Sequence, residues 1–257
     1  MAFEGAFKLA PKKALEFFRK KGFAVSFAWQ DVFNEEHNNA FTVAKMADID
    51  LLTDVRSAVD KALADGTTFE TFRKSLEPIL QQAGWWGRQE VTDPATGEVV
   101  QAELGSPRRL RTIYRTNLKT AYAAGQWAQI QETKADAPFL LYDAVDDNRT
   151  RPEHAEWDGT ILPADDVWWQ FHTPPNGWNC RCSVIQLSQA QAESMGYDSG
   201  AAAPKTEFQH YTNPRTGEAM LIPKGVDPGF GYNPGSDQAQ QLRDALAAKV
   251  KGFRDGD

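Results

Sequence analysis

The sequence predicts an α+β protein. It divides into a helical N-terminal module over residues 1–84, a hairpin insertion at 85–105, a mixed α+β core at 106–190 built round a Cys/His/Trp knot, and a loop-rich C-terminal arm at 191–257 with a second hairpin and a terminal helix. Three observations predict it. Through the first third, apolar residues recur at helical spacing between helix-start and helix-stop signals. Two similar turns, Asp93-Pro94-Ala95-Thr96-Gly97 and Asn213-Pro214-Arg215-Thr216-Gly217, each lie between short extended segments, as β-hairpins require. Between residues 143 and 182 fall both cysteines, two of the 4 histidines and half of the 8 tryptophans.

Pro11 followed by Ala14, Leu15, Phe17 and Phe18 predicts a helix with Pro in its first turn and Gly22 at its end. A weaker helical period runs from Phe27 to Met46, crossing the polar stretch Asn34 to Asn39. Leu51, Leu52, Val55, Val59 and Leu63 mark a clearer helix over Asp50 to Ala64, stopped by Gly66. Thr67 with Glu70 has capping-box spacing and opens a helix through Phe72 and Leu76 to Gly84. Short helices of this kind suit an interaction module. Trp85-Trp86-Gly87 begins the first hairpin, and the likeness of its turn to the second is read as common turn chemistry rather than a duplicated finger. Ser106 as N-cap and Pro107 at the first helical position open the longest helix, whose buried face is expected at Leu110, Ile113, Tyr114, Leu118, Ala121 and Tyr122. Phe139 to Tyr142 reads as a buried strand, and Gln238 to Lys251 as a last helix.

A formal charge of -7 is the wrong sign for a protein that coats nucleic acid, so any such contact falls to local patches. The candidates are the N-terminal lysines and a stripe on the long helix, Arg108, Arg111, Arg115 and Lys119, at spacings that share one face. Acid gathers in Asp143, Asp146, Asp147, Glu153, Glu156, Asp158, Asp165 and Asp166. It reads as a solvated face with Asp146 or Asp147 paired to Arg111 or Arg115; an EF-hand fails for want of the Gly and Glu at its sixth and twelfth positions. No apolar run approaches the ~18 residues of a membrane span. Two cysteines make no disulfide framework and the charged start is unlike a signal peptide, which together predict a reducing cytoplasm.

Cys180, Cys182, His154 and His172 have the chemistry of a tetrahedral zinc site. The Cys-x-Cys spacing argues the other way, because a straight strand would aim the two sulfurs to opposite faces. A bend after Pro174-Pro175-Asn176-Gly177 would bring them together. Two buried cysteines with hydrogen-bonded histidines is the competing reading. A Cys180 nucleophile lacks an orienting third group, and a His-Asn-His nuclease lacks the helix that would carry its later ligands.

The segments Ile113-Tyr114-Arg115-Thr116-Asn117, Asp146-x-x-x-Thr150-Arg151-Pro152-x-His154, Trp157-Asp158-Gly159 and Pro174 to Cys182 together resemble the phage Mu F-like head morphogenesis proteins, minor head proteins of tailed phages and Mu-like prophages. The likeness is dense over 106–187. It implies a non-enzymatic virion component that assembles in the host cytoplasm beside the portal protein and contacts the major capsid or scaffold protein. Arg108, Arg111 and Lys119 are then candidate contacts to packaged DNA. The resemblance also favours a structural zinc on His154, Cys180 and Cys182 with His172 as fourth ligand, and leaves Arg151 at a position where a ligand could stand. A structural knot is assigned to Arg115, Thr116, Asn117, Asp146, Thr150, Trp157, Gly159 and Trp178. The rival is a metal-dependent nuclease or toxin-like enzyme packaged with the genome, working through His154, His172 and nearby acids.

Overall fold

The computed structural model describes residues 12–34, 36–200 and 202–236, so Pro11 and the helix predicted at Gln238 to Lys251 lie outside the described residues. Helix α1, Lys12–Lys20, buries Ala14 and Phe18, exposes Lys12 and Lys20, and pairs Lys13 with Glu132. Strand β1, Gly22–Phe23, then pairs in parallel with β2, Ala40–Phe41. No long helix forms between them: the chain makes a 3-10 turn at Trp29–Asp31 and a four-residue α2, Glu36–Asn39. Local side chains stop each piece. Asp31 accepts the N–H groups of Phe27 and Ala28, Glu36 accepts that of Phe33, and Asn34 and Lys45 take positive φ.

Helix α3, Ile49–Asp65, is capped by Asp48 and closed by Gly66 at φ +65°. Helix α4, Phe69–Gln82, starts one residue later than predicted, with Thr68 as its cap. Glu70 reaches Arg73 instead of completing a capping box, while the Thr67 carbonyl accepts the Tyr114 hydroxyl at 2.6 Å. The first hairpin, β3 Arg88–Thr92 and β4 Val99–Glu103, leads into α5, Pro107–Thr133, with Ser106 capping it as expected. The N-terminal half of α5 shares one apolar core with α1, α3 and α4, centred on Phe18, Leu52, Phe72, Leu110 and Ala121. Tyr122 is 41% exposed, because one residue turns a helix by about 100° away from Ala121.

Ile130, near the other end of α5, belongs to a second core beneath a three-stranded sheet. In that sheet β5, Phe139–Asp143, is central, antiparallel both to β6, Ile161–Pro163, and to β7, Ser183–Leu187. Strand alternation splits β5 between two clusters: Leu140 and Tyr142 face the knot, and Phe139 and Leu141 face Leu187 and Ala192. Short helices α6, Pro152–Trp157, and α7, Trp169–His172, lie between β5 and β7, and α8, Gln189–Ser194, follows. The arm carries the second hairpin, β8 Phe208–Thr212 and β9 Ala219–Pro223.

The two hairpin turns use the same bonds. Asp93 and Asn213 each accept the N–H two residues on at 2.9 Å, and Thr96 and Thr216 each accept that of the following glutamate at 3.2 Å. The turns also touch: Arg215 pairs with Asp93 of the first hairpin and, at 2.9 Å, with Asp31. Arg215 holds the Asp93 carboxyl below its usual range. At Asp31 burial opposes ionisation, but Arg215 and two backbone N–H groups outweigh it. A lowered folded value means stability that is present above an ordinary aspartate value near 4 and lost as pH falls through the folded value. Arg215→Met is therefore expected to flatten the fall in stability below about pH 4, read as urea midpoints at pH 5 and pH 3. Equal acid losses in both proteins would show that the clamp contributes nothing.

Candidate metal centre

Pro152 opens α6, and the three-residue step from His154 to Trp157 puts both side chains on its inner face, where both are buried. After a cis Pro174–Pro175 bond the chain turns at Gly177 to Cys180 and passes Asn179 at φ +59° before β7. That bent path puts both sulfurs on one side. Cys182 Sγ lies 3.5 Å and Cys180 Sγ 3.9 Å from His154 Nδ1, and the three donor atoms all fall within 4.8 Å of one another.

The opposite ring nitrogen, His154 Nε2, is 2.9 Å from the Gly225 carbonyl. A carbonyl only accepts, so Nε2 carries a proton, and in the neutral imidazole the Nδ1 lone pair then faces the sulfurs, the orientation a metal ligand needs. Gly225 is required there, since at φ +82° a Cβ would sit 2.6 Å from Glu153 Cβ. Both thiols are free. Cys180 is held below the usual range, first by the hydrogen bond from Cys182 and further by the backbone at Asn176 and Cys182. The same contact, with burial, pushes Cys182 up. Two sulfurs and an oriented imidazole nitrogen suit zinc; among the described residues no further His, Cys, Asp or Glu joins the three.

His172 stands apart from them. Its Nδ1 is 2.9 Å from the Trp168 carbonyl, and its ring stacks on Trp168 at 4.1 Å and meets Trp157 edge-on at 4.7 Å. Burial pushes it down to about 4, so it is a neutral packing group. Trp157 stacks on His154 at 5.1 Å, Gly159 donates to the Tyr142 carbonyl, and Trp178 packs on Trp29 and Phe230. Thr150 bonds the Val145 carbonyl, while Asp146 is exposed. Asp147 pairs with Arg181 at 2.5 and 2.7 Å, so the acidic run is answered from inside the Cys-Arg-Cys segment rather than by Arg111 or Arg115.

The long-helix residues assigned to the knot do not reach its centre. Arg115 is exposed, Asn117 donates to the Ile113 carbonyl, and Thr116 and Asn117 line a separate cavity. Of the basic stripe, Arg111 lies over Phe69, Lys119 reaches the Arg181 carbonyl at 3.3 Å, and Arg108 borders that cavity. Other contacts of the knot join residues far apart in the chain. Tyr142 donates to buried Asn176 at 3.0 Å, and Asp227 takes Arg151 at 2.7 Å and the Trp178 N–H at 2.8 Å. Arg151 is thus an ion-pair partner of the arm. Gly177 makes room for that pair, because a Cβ there would meet Asp227 Oδ2 at 2.3 Å.

Residues 53–185 match the family model described as Phage Mu protein F like protein. The chain belongs to this family. It is 42% identical over 263 residues to a protein of Escherichia phage Mu named "Putative capsid assembly protein F", a match covering 97% of this chain and 60% of the relative. It is 38% identical over 225 residues to the Mu-like prophage FluMu F protein of Haemophilus influenzae, covering 82% and 53% respectively. The chain therefore spans only part of the length of these curated relatives. No solved structure matches it. The family span holds His154, Cys180 and Cys182, whereas Gly225 and Asp227, which secure the centre from behind, come from the arm beyond it.

Proposed function

We propose that this chain is a minor head protein of a tailed phage, structural rather than enzymatic, which joins the portal protein to the major capsid or scaffold protein during head assembly and stays in the virion. The observation that carries the reading is the 42% identity, across 97% of the chain, to a phage Mu relative named for capsid assembly. The fold supports it. Its hairpins expose most of their strand residues, and its buried polar groups are spent on packing one segment against another. A structural zinc on His154, Cys180 and Cys182 belongs to the same reading; when bound it would cross-link α6 to the segment before β7. The test is affinity capture with tagged portal protein and, separately, tagged major head protein of the same phage. Recovery of this chain by either supports the assembly role, and recovery by neither overturns it.

A further inference from the structure

A cavity of about 630 Å³ opens between the N-terminal module, α5, the knot and the arm. Its walls are mostly apolar, with Trp29, Trp178 and Phe230 among them, yet Lys21, Lys45, Arg108 and Arg109 also line it and Glu103 is its one carboxylate. Among the described residues none of these four cations makes a salt bridge, although Glu103 acts on Arg109 and Asp31 and Asp93 act on Lys45 from farther off. Lys21, only 7% exposed, donates to the His37 carbonyl, and Lys45 to that of Phe27. Arg109 donates to the carbonyls of Glu103, Leu104 and Ala44. Burial pushes Lys21 down to about 7, with Arg56 adding to it, and lowers Arg109 against the pull of Glu103; Lys45 is lowered by burial and then by Arg109 and Arg215, against Asp31 and Asp93. Helix α5 sharpens the imbalance. Its first turn holds Pro107, Arg108 and Arg109 and no acid, so cations sit at the end of the helix dipole that favours anions.

We propose that this cavity receives an acidic segment of a partner protein, with a carboxylate side chain against Lys21 and the first turn of α5 and the neighbouring apolar side chain against the walls. The ammonium of Lys21 has three donors and its carbonyl partner uses one, so it can still bind a carboxylate. A nucleotide is the poorer occupant, because the forks of Arg109 that would grip a phosphate are already taken by carbonyls. That the partner is a head protein rests on the assembly reading; the binding chemistry does not.

Calorimetric titration of the full chain tests it, with the blocked peptide Glu-Leu-Phe-Glu, its Gln-Leu-Phe-Gln counterpart and dATP as probes. The acidic peptide is expected to bind about tenfold more tightly than the neutral one, and Arg108→Glu to remove about tenfold of that affinity. The melting temperature of Arg108→Glu should not fall, since an acid suits the first turn of a helix; Arg108→Gln should give an intermediate loss. Equal binding of the two peptides, no binding of either, indifference to both substitutions, or dATP binding as tightly as the acidic peptide would each overturn the proposal. A failed titration with successful portal capture would leave head assembly standing.

Discussion

Protein purified without chelator is expected to carry about one zinc ion per chain, and Cys182→Ser to carry none. The ligand atoms are already within 4.8 Å of one another and His154 is already turned by Gly225, so little rearrangement stands between this geometry and a bound ion. An ion present at a thousandfold excess over its dissociation constant stabilises the folded state by about 4 kcal/mol. For a chain of this size that is a fall in melting temperature of about 10 °C on removal of the metal. Chelator should therefore bring the wild type down to the melting temperature of Cys182→Ser and leave the variant unmoved. His172→Ala supplies the contrast. Its ring is held by Trp168 and Trp157 outside the donor set, so it should lose packing stability and keep its zinc. Wild-type protein with no stoichiometric metal by elemental analysis would reduce the knot to packing alone.

Gly125→Val is expected to cost about 3 kcal/mol or more, without loss of zinc. Helices α1 and α5 cross at Gly125, where an added Cβ would lie 2.6 Å from the Ala14 backbone nitrogen and 3.0 Å from its Cα. Backbone cannot swing aside as a flexible side chain can, so α1 must move bodily and uncover Phe18 and its neighbours. The smaller change Gly125→Ala separates packing from propensity by its sign. In an exposed helix the alanine would gain about 1 kcal/mol over glycine, whereas against Ala14 it should destabilise. Urea midpoints of the two variants beside wild type give the answer, and a stabilised Gly125→Ala would show that the two helices do not meet as described.

The local elements were legible because their causes are local. Ser106 and Pro107 start α5 where the sequence says, Gly66 ends α3, and both Pro-x-Thr-Gly turns form the expected hairpins. The stretch from Phe27 to Met46 misled because its apolar spacing competes with Asp31, Asn34 and Glu36, whose side chains bond nearby N–H groups or admit a positive φ and so cut the helix into short turns. At the knot, residue types were legible and their partners were not.

What the sequence by itself determined is the α+β character, the family, and a Cys/His-rich segment with the chemistry to hold a metal. Only the tertiary structure decided which histidine faces the sulfurs, because that depends on a carbonyl 71 residues away at Gly225 and on the bend that defeats the alternation of Cys180 and Cys182. It likewise decided that Arg151 answers Asp227, 76 residues on, and that Arg215 answers Asp93 across 122 residues. Caps, turns and periodicity act over a few residues and leave their mark in adjacent letters. Ion pairs, imidazole orientation and helix crossings are set by which distant surfaces exclude water together, and a single chain read in order carries no record of that pairing.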